Sequence, residues 1–355
     1  MHTSFVSLSA LLSAALGAAT PREAPRCIES LIPITASATN FDLSSGSAPP
    51  NATIPVSGTF PIQLRLCAPT TPASLRSKTL QVLIPGATFN TDYWDMSFEP
   101  ETYNYVRFAA ANGYWTLNMA RLGDGGSARP DGNTIVQIPF GVAVVSEIVK
   151  LARAGSLFGT LGGIEKVVVI GHSLGAVILN GVVETVPSSI DGAVFAGFSH
   201  TFGPTNVAVA EWGPASEIVP ERFAGLPPAY LTSLNATTRA AALYGAPGTF
   251  DPAALEWDEE RKDTIANGEL LTFAGAVPVA APSFTGDVFM INGDQDGVFC
   301  SKPGCANLAD EAQFYAGARS VEFNVISGVG HCLNLQFGAP KVYAAIQEWL
   351  NKHGY

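Results

Sequence analysis

Ser173 stands in Gly171-His172-Ser173-Leu174-Gly175, directly after the apolar run Val167-Val168-Val169-Ile170. A β-branched run ending at a glycine-flanked serine, followed by helix-compatible Ala176–Val183, presents a hydroxyl at a sharp strand-to-helix turn. The glycines at 171 and 175 suit a place where strand and helix leave no room for bulk. A serine hydroxyl is a weak nucleophile, so it needs a base to take its proton and an acid to orient that base. Both follow in chain order. Asn292-Gly293-Asp294-Gln295-Asp296-Gly297 offers two carboxylates after the apolar Val288-Phe289-Met290-Ile291, and Val325-Ile326-Ser327-Gly328-Val329-Gly330-His331 sets a histidine on a glycine-rich loop. His172 reads as packing at the turn, His200 and His353 lack such a setting, and His2 falls in an apolar leader. Asp294, Asp296 and Asp310 do not form a repeated oxygen-ligand loop, and Gly123–Gly126 and Gly155–Gly163 make no phosphate or dinucleotide fingerprint. The chemistry therefore calls for neither metal nor cofactor.

Positioning these groups requires a parallel sheet. Thr79–Ile84, Tyr114–Ala120, Val167–Ile170, Gly192–Phe198 and Asp287–Ile291 read as strands, with helices at Tyr103–Ala111 and Ile138–Ala154 between them. That alternation predicts an α/β fold, a mostly parallel central sheet with helices on both faces. Phe60–Cys67 reads as a further strand, preceded by Ala36–Gly58 as a surface loop rich in Ser, Pro and Gly. Phe202 to about Thr285 breaks the rhythm with many prolines between short helical stretches such as Ala253–Asp263. A segment of that length is too long for plain loop and is expected to be a helical cap, at least partly mobile, over the carboxyl ends of the strands.

The chain has 355 residues, 47% hydrophobic and 14% charged, with a formal charge of −11. This argues against disorder and against a nucleic-acid footprint, which needs clustered Lys and Arg. Phe5–Leu16 followed by Gly17-Ala18-Ala19 reads as a secretory signal cleaved near Ala19, too short to be a transmembrane anchor. The expected organisation is a signal peptide at 1–19, an N-terminal extension at 20–59, a core at 60–201 and 286–355, and the cap at 202–285. Export would make Asn51-Ala52-Thr53 and Asn235-Ala236-Thr237 glycosylation acceptors. The cysteines read as structural: Cys27 with Cys67, and either Cys300 with Cys305 or one of these with Cys332.

From about Phe60 to Leu350 the chain resembles the α/β-hydrolase superfamily, specifically its secreted fungal lipase- and esterase-like members. The resemblance rests on the elbow at Gly171–Gly175, on Ile84-Pro85-Gly86-Ala87-Thr88, on Asn292–Asp296 and on Gly330-His331. It implies that Asp296 orients His331 while Asp294 supports the turn, and that the backbone amides of Ala87 and Leu174, with Thr88 as a further donor, stabilise an oxyanion. Pro85 replaces the histidine that many relatives carry before the first glycine of that loop. Phe89, Tyr93 and Trp94 either form an aromatic acyl or alcohol pocket or serve as local core.

The expectation is a secreted, extracellular carboxylic-ester hydrolase for small or medium apolar esters, working through an acyl-serine. Its partner is a small-molecule ester or lactone, with no nucleic acid, and the sequence leaves oligomeric state open. The same triad would serve lactone hydrolysis or acyl transfer, and an inactive binding scaffold is the non-enzymatic alternative.

Overall fold

The computed structural model describes residues 23–44, 52–71, 75–159, 163–205 and 207–355. The signal peptide expected at 1–19 and the acceptor Asn51 lie outside these residues. The sheet strands are β1 (Cys27–Phe41), β2 (Thr53–Cys67), β3 (Thr79–Ile84), β4 (Trp115–Met119), β5 (Lys166–His172) and β6 (Gly192–Ala196). Three short strands follow, β7 (Gly213–Pro214), β8 (Tyr230–Thr232) and β9 (Ile265–Ala266), before β10 (Asp287–Gly293) and β11 (Ser320–Ile326) return to the main sheet. Its order is β1-β2-β4-β3-β5-β6-β10-β11. Strands from β4 to β11 pair in parallel, and β1 and β2 add an antiparallel edge.

Val167, Val168, Val169 and Ile170 of β5 are all buried, the mark of a parallel strand covered on both faces. Side chains alternate across the sheet. Val167 and Val169 pack in one cluster with residues of α3 (Ile138–Arg153) and α4 (Leu174–Thr185). Val168 and Ile170 face the other layer, made by α1 (Pro100–Tyr103), α2 (Tyr105–Ala111) and the C-terminal α10 (Ala339–Lys352). Helix α4 is apolar nearly all round, with buried residues at every position from Leu174 to Asn180, because the sheet, α3 and the insertion enclose it.

The stretch expected as a surface loop belongs instead to a long hairpin. Residues of β1 and β2 pair continuously from Cys27 opposite Cys67 to Phe41 opposite Thr53. Along Ile34 to Asn40 the buried positions Ile34, Ala36 and Asn40 alternate with exposed Thr35, Ser37 and Thr39. Small side chains on the inward face let the hairpin lie on α3, where Asn40 Nδ2 donates to the carbonyls of Thr134 and Ile135 and Gln137 exchanges bonds with the Phe41 backbone. Residues 36–41 and 53–58 of the Ser-, Pro- and Gly-rich stretch that reads as loop are thus partly buried strand. Pro33 is tolerated because β1 is an edge strand.

The insertion after β6 contains α5 (Ala215–Ile218), α6 (Pro220–Phe223), α7 (Ala236–Leu243), α8 (Pro252–Arg261) and α9 (Asn267–Ala276). It is not purely helical: β7, β8 and β9 form a small antiparallel sheet of their own. Among the described residues no helix is long and apolar enough to cross a membrane. Disulfides join Cys27 to Cys67 and Cys300 to Cys305, leaving Cys332 free and buried.

Candidate active site

The elbow is built by close approach. Ser173 adopts φ 53° and ψ −119°, a left-handed conformation costly for a residue with a side chain. A Cβ on Gly171 would stand 2.5 Å from the Gly175 carbonyl oxygen, and one on Gly175 would stand 2.5 Å from that of Ile84. Both positions therefore exclude any other residue. The Ser173 amide donates to Ala196 O at 3.0 Å, pinning the turn to β6.

His331 Nε2 lies 2.8 Å from Ser173 Oγ, and His331 Nδ1 lies 3.0 Å from Asp296 Oδ2. Asp296 is buried, and its other oxygen accepts the amides of Val298 and Phe299 at 2.8 and 3.1 Å. Asn292 Nδ2 approaches Oδ2 at 3.3 Å. Geometry thus distinguishes the two aspartates that sequence leaves side by side. Asp294 turns away, accepting from Ser327 Oγ at 2.9 Å and Gly328 N at 2.8 Å, and so braces the loop that carries His331. Asp310 is distant from this chemistry and pairs with Lys302 at the surface.

Ala87 and Thr88 follow Gly86, which borders the nucleophile: a Cβ there would meet His172 Nδ1 at 2.7 Å and Ser173 Cβ at 3.1 Å. Leu174 opens α4, where first-turn amides have no acceptor within the helix. Thr88 also has positive φ, at 59°; its hydroxyl donates to Ala87 O at 2.6 Å and accepts from Arg239 Nη1 at 2.7 Å. His172 serves the site from below. Burial, then the neighbouring His331 and Arg121, holds its pKa well below the usual histidine range, so the neutral ring donates from Nε2 to His331 O at 3.0 Å.

Phe89, Tyr93 and Trp94 are packed beside the elbow. All three are buried; Tyr93 stacks on His172 at 4.3 Å between ring centroids, and Trp94 packs edge-on against Tyr105. The space bordered by Phe89 and Tyr93 holds only ≈ 10 Å³. Their area is spent on supporting the elbow. An apolar cavity of ≈ 460 Å³ lies elsewhere, lined by Phe202, Trp212, Leu270, Phe273 and Ala274 of the insertion and by Val298 of the loop after β10. Phe299 stands between it and the triad, with its ring centroid 5.9 Å from that of His331 and 5.8 Å from that of Phe202.

Sequence reasoning also passes over the buried Arg121 and Arg239. Arg121 follows β4 in Ala120–Gly126, and Arg239 lies on α7, one helical turn after Asn235. The signal available was an isolated arginine in an otherwise apolar or glycine-rich stretch, with Asp124 three residues after Arg121; the other carboxylate partners, Glu269 for Arg121 and Asp258 for Arg239, come from separate elements.

No curated protein matches this chain. Solved structures do, at low identity. An esterase from Thermogutta terrifontis with malate bound is 15% identical at a TM-score of 0.54, covering 92% of this chain and 99% of that one. A monoacylglycerol lipase from Paleococcus ferrophilus is 17% identical at 0.54, covering 82% and 99%. A bromoperoxidase from Bacillus anthracis is 15% identical at 0.54, covering 82% and 96%. Proteins so differently described share the architecture, which by itself selects no substrate. The model of the alpha/beta hydrolase family matches residues 81–346, a span that begins in β3, takes in the elbow, Asp296 and His331, and ends in α10; the chain belongs to that family.

Proposed function

We propose that this protein hydrolyses carboxylic esters of small or medium apolar substrates through an acyl-serine intermediate. The observation that carries the reading is the unbroken relay from Ser173 Oγ through the His331 ring to Asp296. His331 Nε2 accepts the Ser173 proton as Oγ bonds to the ester carbonyl carbon, and Asp296 stabilises the imidazolium through Nδ1–H. The tetrahedral intermediate collapses when the C–O bond to the alcohol breaks and His331 returns that proton to the departing oxygen. Water then gives a proton to His331 and its oxygen to the acyl carbon; the acid leaves and Ser173 regains its proton. The net reaction consumes one ester and one water and yields one acid and one alcohol. The amides of Ala87 and Leu174 are assigned to the developing oxyanion, an assignment supported by the contact of Gly86 with Ser173 and by the helix-opening position of Leu174. The Thr88 hydroxyl is already engaged with Ala87 O and Arg239, which leaves its backbone amide as the further donor.

The apolar cavity behind Phe299 supports an uncharged acyl chain as the occupant. Export from the cell belongs to the same proposal, supported by the apolar leader Phe5–Leu16 and by two disulfides in one chain. The finer likeness to secreted fungal esterases and lipases has the same support. Asn235 is exposed and uses Oδ1 to cap α7, which leaves Nδ2 for a glycan. The test is stoichiometric labelling by a fluorophosphonate together with turnover of a matched ester series. Ser173→Ala is expected to lose the label and about 10⁴-fold or more in kcat while retaining its melting temperature. Undiminished turnover in that variant rules the mechanism out.

A further inference from the structure

The loop that carries Pro85, Gly86, Ala87 and Thr88 is gripped from two sides by buried arginines, and both grips lead into the insertion. Arg121 Nη1 donates to Pro85 O at 3.0 Å and, more tightly still, to Gly86 O. Its guanidinium is held in turn by Asp124, at 2.6 Å, and by Glu269 of α9, at 3.3 Å from Nε. All three side chains are buried. On the other side, Arg239 of α7 donates to the Thr88 hydroxyl at 2.7 Å and lies over the Phe89 ring at 4.6 Å. It makes a two-pronged pair with Asp258 of α8, at 2.6 and 2.8 Å, and Tyr244 adds its hydroxyl to the same carboxylate at 2.7 Å.

A planar trans peptide directs its N–H opposite to its C=O. With the Gly86 carbonyl turned to Arg121, the Ala87 N–H faces away from that arginine. Its direction is therefore set by where Arg121 stands, and Arg121 is set by Asp124 and, from the insertion, by Glu269. The second grip fixes Thr88, whose left-handed backbone needs an outside restraint to persist. An oxyanion donor acts only when its direction is fixed before charge develops. An unbraced loop would reorient during each turnover.

We propose that Arg121 and Arg239 are positioning residues for the oxyanion hole, and that the insertion, through Glu269 on α9 and Arg239 on α7, is a structural part of the catalytic apparatus as well as a cover for the substrate. The inference rests on the acyl-serine reading above. It assigns to the 202–285 segment a role in kcat that a cover needed only for binding would not have.

Thr88→Val cuts the second grip while leaving the Arg239–Asp258 pair intact. The double variant Arg121→Met with Glu269→Gln cuts the first and removes one of the two carboxylates along with the cation; burial already holds the other, Asp124, well above the usual carboxylate range, so losing Arg121 leaves it protonated rather than charged. Each is assayed for ester kinetics, for affinity toward a boronic acid that forms a tetrahedral adduct on Ser173, for affinity toward a non-reactive ketone of the same chain, and for thermal melting. The expected result is a fall in kcat of about tenfold for Thr88→Val and about 100-fold for the double variant, the latter at the low end of the range for losing one oxyanion donor. KM and ketone affinity stay within about twofold, and boronate affinity falls in step with kcat/KM, because only the tetrahedral state uses the donors. Unchanged kcat and boronate affinity in a folded Thr88→Val protein overturns the proposal. Equal losses of ketone and boronate affinity overturn it as well, since they mark general damage to the site. Failure of the acyl-serine reading is separately visible as an active Ser173→Ala protein.

Discussion

Asp296 and Asp294 are two residues apart, carry the same side chain and both follow the end of β10, yet the turn there sends them to different partners. Asp296 receives two backbone amides and the His331 ring, whereas Asp294 receives Ser327 and Gly328. The expected kinetic consequence is asymmetric. Asp296→Asn keeps the shape but no longer holds the imidazole in the working tautomer, and kcat is expected to fall by about 10³- to 10⁴-fold. Asp294→Asn retains one acceptor oxygen for the loop and should cost less than about tenfold. Steady-state kinetics on a single activated ester decides between them, and the reverse order would transfer the orienting role to Asp294. At this scale the sequence was highly legible for Ser173 and His331, because each sits in a local pattern of strand, glycine and turn. Arg121, Arg239 and Glu269 were not legible. Apart from the pairing of Arg121 with Asp124 three residues on, their meaning lies in contacts with carbonyls and carboxylates from other elements, which no local spacing encodes.

Among the elements, the parallel strands β3, β5 and β10 were readable because burial on both faces imposes predominantly apolar runs. The β1–β2 hairpin was not, because its packed face carries the small Ala36 and Ala38 beside Asn40 while its other face exposes Thr35, Ser37 and Thr39, a composition that alone suggests a loop. The aromatic run at Phe89, Tyr93 and Trp94 had two readings, pocket or core; all three side chains are buried, and Tyr93 stacks on His172. Pocket formation falls instead to the insertion, where α9 supplies Leu270, Phe273 and Ala274 to one wall. A prediction follows from the small side chain in that wall. Ala274→Trp would fill much of the cavity, so kcat/KM for long acyl esters should drop by about tenfold or more relative to the two-carbon ester. The two-carbon ester itself should be hydrolysed at nearly the original rate. A uniform loss across the series, measured with esters of one leaving group, would place the acyl chain elsewhere.

For the molecule as a whole, the active end of the sheet is held by the insertion, while the opposite end is closed by the chain terminus. Asp287, at the start of β10, is buried and accepts from Arg319 Nε and Ser320 Oγ at 3.0 and 2.8 Å and from the Tyr355 hydroxyl at 2.7 Å; His353 Nδ1 stands 3.3 Å away. Burial alone would raise its pKa, but Arg319, Tyr355, Ser320 and the nearby His353 outweigh it, and the carboxyl is held below its usual value of 3.8. The sign of the linkage follows. Below about pH 4 the unfolded chain protonates this group more readily than the folded one does, so its contribution is complete above that pH and is lost as acid is added. Arg319 is 61% exposed, so salt screening weakens its share. Asp287→Asn should therefore lower the unfolding midpoint at neutral pH, and the gap between the two proteins should narrow steadily below about pH 4. Ester turnover per folded molecule at neutral pH should not change, since Asp287 lies at the end of β10 remote from Asp296, across the length of that strand. Denaturant titrations at several pH values read the first effect and active-site titration the second. A gap that stays constant into acid would mean that the C-terminal contacts hold the sheet by shape and hydrogen bonding, with no share from the carboxylate charge.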